Sequence, residues 1–178
     1  TAQNENHGPF AIRYPRGRGV MPEWERTMRA LPVGKGRKLT EGRHLAFVSI
    51  GTVGNAVADA VEQLNAAGYF PGHYDMRFLK PIDTKLLHEV FRNYETVITI
   101  EDGVLKGGLG SAVLEFKNAH DYTARVRSLG LPDHFVEHGS PEELHRECGL
   151  DAESILEKGL GFLRQKQPHV QKQEAGKA

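Results

Sequence analysis

The sequence predicts an α/β domain: a mostly parallel open sheet of about five strands with flanking helices. Two observations predict it. The first is a pair of nearly continuous apolar runs, Leu45-Ala46-Phe47-Val48-Ser49-Ile50 and Thr96-Val97-Ile98-Thr99-Ile100, each bounded by turn residues, as strands covered on both faces read. The second is helical spacing in the segments that follow strands, at Val57, Ala60, Val61 and Leu64 and again at Leu86, Leu87, Val90 and Phe91. Strands alternating with helices favour parallel pairing through right-handed crossovers.

Taken in order, the chain runs polar through residues 1–8, a flexible start, and then reads as one domain over 9–164. Phe10 to Tyr14 alternates as a short strand closed by Pro15, which has no amide to donate. The basic loop Arg16-Gly17-Arg18-Gly19 follows, then a connector from Val20 to Arg43 with one short strand near Gly36 to Leu39. Gly51-Thr52-Val53-Gly54 turns the first core strand into a helix that Gly68 can cap. A second strand is placed near Tyr74 to Phe78, with Asp83 as N-cap of the next helix. The strand Thr96–Ile100 stops at Glu101-Asp102-Gly103, and Gly107-Gly108-Leu109-Gly110-Ser111 leads into a helix carrying Val113, Leu114 and Phe116. Arg125 to Leu129 is the next strand; helices from Pro141 to Cys148 and from Asp151 to Arg164 complete the domain. Residues 165–178 hold too few apolar groups to offset chain entropy and are expected to be a disordered tail.

Composition narrows the function. With 23 basic and 23 acidic residues the chain carries no net charge, which argues against nucleic acid or an anionic membrane as partner. No apolar stretch approaches a membrane span and no signal peptide opens the chain, so a soluble cytoplasmic protein is expected. The first residues, Thr1-Ala2-Gln3-Asn4, read as a cut inside a longer protein. The single cysteine, Cys148, rules out an internal disulfide and any multi-cysteine metal site, and reads as a small helix-packing residue.

Four groups of residues are candidates for chemistry. In Arg13-Tyr14-Pro15-Arg16-Gly17 the proline fixes φ and the glycine lets a ligand approach, so Arg16 is placed for a bidentate contact to phosphate or carboxylate; the alternative is a solvated loop charge. The turn from Lys106 to Ser111 offers amides at a helix N-terminus to an anion, but its spacing is not that of a dinucleotide site, and tight turning with close helix packing also explains it. Glu101 and Asp102 stand at a strand's carboxyl end, either to polarise a substrate or bind a cation, or as an ordinary turn. Asp75, Arg77 and Lys80 suggest a buried ion pair. His134 and His138 lie four apart without a helix or a third ligand to make a metal site, and no G-x-S-x-G elbow occurs.

Several stretches, in order, resemble the C-terminal third of the 1-deoxy-D-xylulose-5-phosphate synthase family of transketolase-like enzymes. They are Ala11-Ile12-Arg13-Tyr14-Pro15-Arg16-Gly17, Leu31-Pro32-Val33-Gly34-Lys35-Gly36, Asp75-Met76-Arg77-Phe78-Leu79-Lys80-Pro81-Ile82-Asp83, Thr99-Ile100-Glu101-Asp102-Gly103, Gly130-Leu131-Pro132-Asp133 and His138-Gly139-Ser140. The resemblance implies a transketolase C-terminal-like fold. It also implies condensation of pyruvate with D-glyceraldehyde 3-phosphate with loss of carbon dioxide, feeding isoprenoid, thiamine and pyridoxal biosynthesis. Thiamine diphosphate and Mg2+ would be held by the preceding domains, and this part would be inactive alone. In the family's pattern Arg16 would help bind the acceptor's phosphate, supported by Arg13 and Tyr14, and the domain would contribute a homodimer assembly surface. Transketolases and the beta subunits of oxo-acid dehydrogenases share this domain; the second alternative implies a lipoyl-domain partner.

Overall fold

Five strands form one sheet in the order β1-β3-β2-β4-β5. The computed structural model describes residues 1–3, 8–10, 12, 14 and 29–164. β1 (Arg37–Thr40) pairs antiparallel with β3 (Gly72–Asp75); β2 (Leu45–Ile50), β4 (Thr96–Val104) and β5 (Arg125–Leu131) continue the sheet in parallel. The sheet is therefore mostly parallel, as the alternation of strand and helix requires.

Strand period and helix period together build two cores. On one face Ala46, Val48, Tyr74, Met76 and Val97 pack under α2 (Thr84–Asn93) and α3 (Leu109–Ala119), whose Leu87, Val90, Phe91, Val113 and Phe116 point inward. On the other, Leu45, Phe47, Ile98 and Ile100 meet Val57, Ala60 and Leu64 of α1 (Val53–Ala66) and Ile155 and Leu163 of α5 (Ala152–Arg164). Neighbouring strand residues thus serve opposite cores, and each fully buried large side chain contributes roughly 1.5–3 kcal/mol.

The helix ends follow from local chemistry. α1 stops at Gly68, which takes φ +82 while the Tyr69 amide reaches back to the Leu64 carbonyl at 2.9 Å and its own amide donates to Asn65 O, a Schellman closure. Asp83 caps α2 through the Leu86 amide. α4 (Pro141–Glu147) starts in a capping box, Ser140 and Glu143 each accepting from the other's backbone, which holds the Glu143 carboxyl below its usual range.

Three expected boundaries move. β3 spans Gly72–Asp75 rather than Tyr74 to Phe78, because Arg77 has φ 55 and no strand passes through the left-handed region. β4 runs beyond Glu101 to Val104, where a register shift brings Val104 opposite Leu131, and β5 extends to Leu131 with it. The strand expected at Phe10 to Tyr14 falls partly outside the described residues, and the tail 165–178 wholly so.

Candidate functional site

The carboxyl ends of parallel strands are where open α/β sheets take ligands. Here that edge carries Glu101 and Asp102 from β4, the turn into α3, and Asp75 at the end of β3 with Arg77 just beyond it.

Glu101 is buried, and both of its oxygens are committed. Oε2 accepts from the Leu109 amide at 2.8 Å and Oε1 from the Gly110 amide at 2.9 Å, so the carboxylate sits on the first turn of α3. That is the place an external anion would take at a helix N-terminus, and it neutralises the same orphan donors and helix dipole. Gly108 permits the approach, since a Cβ there would overlap the Glu101 carboxylate. The glycine turn is accordingly a packing device around an internal acid, and Glu101 is neither a solvated turn residue nor free to bind a cation. Asp102 faces outward, 3.9 Å from His145 Nε2 on α4, and Lys106 joins Asp133 at 2.8 Å across the same rim. With Lys106 and Asp133 at 81% and 60% exposure, that pair contributes little to stability.

On β3 the expected Asp75–Arg77–Lys80 cluster takes a different form. Arg37 of β1 makes the close contact, Nε to Asp75 Oδ2 at 2.9 Å, while Arg77 Nε stands at 3.9 Å and its amide donates to Asp75 Oδ1; no ion pair reaches Lys80 among the described residues. Beneath them His73 is fully buried, 2.9 Å from Ser49 Oγ, and burial pushes its ring down from 6.5 to about 4, Asp75 and Arg37 acting in opposite senses. Sequence spacing gave no sign of this pair, which spans two strands.

Of the residues expected to read phosphate, Arg16 and Arg13 lie outside the described residues, and Tyr14 is 81% exposed. His134 and His138 lie on the exposed loop after β5, and no group of three or more His, Cys, Asp or Glu among the described residues is arranged to hold a metal. No described helix is long and apolar enough to cross a membrane. Cys148, partly buried at the end of α4, packs at the edge of the second core, and burial raises its thiol pKa.

The family profile described as "Transketolase, C-terminal domain" matches residues 34–155, most of the chain and all five strands in full. The chain belongs to the transketolase C-terminal domain family. Among curated relatives, a 1-deoxy-D-xylulose-5-phosphate synthase of Bacteroides thetaiotaomicron is 49% identical over 161 residues, 90% of this chain and 25% of that protein. Another of the same name from Cytophaga hutchinsonii is 53% identical over 87% of this chain and 24% of its own length. The chain thus spans about a quarter of the length of the curated relatives it matches. Among solved structures, "Split gene transketolase, inactive beta4 tetramer" superposes with a TM-score of 0.69 at 34% identity, covering 77% of this chain and 44% of the other. The transketolase of Leishmania mexicana, at TM-score 0.56 and 14% identity over 74% of this chain and 18% of its own, shares the fold. The family's fold is the five-stranded, mostly parallel sheet described above.

Proposed function

We propose that this chain is the C-terminal part of a 1-deoxy-D-xylulose-5-phosphate synthase, in which it supplies an acceptor-phosphate contact and an assembly surface. The intact enzyme joins pyruvate to D-glyceraldehyde 3-phosphate with loss of carbon dioxide, in the cytoplasm and as a homodimer. The observation that carries this reading is identity of about half the residues along some nine-tenths of the chain with relatives of that name.

In this proposal thiamine diphosphate and Mg2+ belong to the preceding domains. The described residues do not fit them: the two oxygens of Glu101 are occupied by backbone amides, Asp102 faces His145, and no third ligand stands near either. The thiamine ring, held elsewhere, supplies the electron sink for the carbon chemistry. What this chain adds is orientation. Arg16, flanked by Arg13 and Tyr14, makes a charge-assisted contact to the acceptor's phosphate, worth on the order of 2 kcal/mol in placing the aldehyde.

Kinetics of the intact enzyme test it. Arg16→Ala raises KM for glyceraldehyde 3-phosphate at least tenfold, leaves KM for pyruvate nearly unchanged, and abolishes the preference for the phosphorylated acceptor over its unphosphorylated analogue. Unchanged acceptor kinetics would remove Arg16 from the site. A second reading, an assembly domain of a transketolase, is favoured by the likeness to the split-gene transketolase chain, described as an inactive tetramer; it predicts no dependence on Arg16.

A further inference from the structure

Arg77 combines partial burial, a strained backbone and a guanidinium that stands 3.9 Å from Asp75 and makes no hydrogen bond among the described residues. Its φ of 55 lies in the left-handed region, and the Phe78 amide donates to the Met76 carbonyl, so Arg77 is the centre of a three-residue turn of the rare, strained hand. A glycine at this position would avoid that cost, and a bulky side chain there marks a position that something other than local conformational preference maintains.

The ion pair with Asp75 does not account for it. Asp75 Oδ2 is already engaged by Arg37 Nε at 2.9 Å, and Oδ1 accepts the Arg77 amide; Arg77 Nε remains at 3.9 Å, beyond hydrogen-bond reach. Among the described residues the Arg77 guanidinium makes no hydrogen bond at all, although its side chain is only 24% exposed. A guanidinium has five donors, and leaving them unmatched in a half-buried place is costly. Two guanidiniums about one carboxylate leave this end of β3 with a net positive charge, at the sheet edge where α/β proteins take ligands. The Arg37 side chain, 53% exposed, extends the same positive surface.

We infer that Arg77, with Arg37 beside it, forms an oxyanion site at the carboxyl end of β3, in which the planar fork of Arg77 receives a phosphate or carboxylate group and Asp75 sets its orientation. Planar, bidentate recognition explains an arginine here where a lysine would be easier to solvate. This site is separate from the contact proposed for Arg16 and stands whether or not that contact exists.

The 178-residue chain itself serves for the test. Inorganic phosphate and acetate are titrated separately while the Arg Nε–H resonances are followed by NMR. Saturable perturbation of the Arg77 signal is expected, with binding weakened at least tenfold in Arg77→Gln and several-fold in Arg37→Gln. Tighter binding of phosphate supports a phosphate-bearing ligand, and tighter binding of acetate supports a carboxylate-bearing one. Arg77→Gly separates site from scaffold: relieved of the left-handed strain, it unfolds at a temperature no lower than the parent chain yet loses the anion response. An Arg77 signal indifferent to both anions, or Gln and Gly variants that bind anion as tightly as the parent chain, overturn the assignment.

Discussion

The Glu101 carboxylate at the end of β4 and the Leu109 amide at the start of α3 meet at 2.8 Å, eight residues apart in sequence. The contact joins the central strand pair to the helix that covers it, and Gly110 donates to the other oxygen. A buried charge is tolerated there because two amides and the positive end of the helix dipole replace its water.

Glu101→Gln keeps the shape and loses the charge, and it turns one side-chain donor toward an amide that also donates. A loss of about 1–3 kcal/mol is expected in urea unfolding. Gly108→Ala should cost a comparable amount by pushing the carboxylate off its amides. A Gln variant as stable as the parent chain would show that the pairing is dispensable.

Most of the sheet was legible because its signals are local. The apolar run Leu45–Ile50 is a strand with the expected limits, and Asp83 caps α2 as its place before the periodic residues required. The roles of Glu101 and Gly108 were not legible: a carboxylate before Asp-Gly resembles a turn acid, and only the fold of β4 back toward α3 brings it to the amides. Arg37 could not be assigned to Asp75 either, since the two are joined by antiparallel pairing of β1 with β3, a non-local event with no motif.

Asp83 does two jobs. Its Oδ1 accepts the Leu86 amide at 3.1 Å, and its Oδ2 takes the Gly36 amide at 3.2 Å, tying the connector before β1 to α2. Asp83→Ala should destabilise the chain by about 1–2 kcal/mol, the upper part of the range for an N-cap. Hydrogen exchange should quicken at both Leu86 and Gly36. Faster exchange at Leu86 alone would limit Asp83 to capping.

The buried His73 makes stability depend on pH. The folded ring titrates near 4 and the unfolded one near 6.5, so between these values the unfolded chain binds more protons. Stability attributable to His73 is complete above pH 6.5, falls as pH drops toward 4, and changes no further below that. A shift of this size corresponds to about 3 kcal/mol. His73→Gln should flatten this part of the pH profile, even though loss of the contact to Ser49 lowers stability at neutral pH. Parallel profiles for both proteins between pH 6.5 and 4 would mean that other groups set the dependence.

Phe135 projects from the loop after β5 with its side chain wholly exposed. A phenylalanine contributes nothing to its own domain in that position, so Phe135→Ser should leave unfolding free energy within about 0.5 kcal/mol of the parent. The assembly role proposed above gives it a use: covering one such ring removes on the order of 150–250 Å2 from water. Sedimentation at matched concentrations should then show a lower weight-average mass for the Ser variant, with Val104, 43% exposed, as the next position to change. Equal masses would place the assembly surface elsewhere on the domain, while a large loss of stability would mean that Phe135 packs within its own chain in solution.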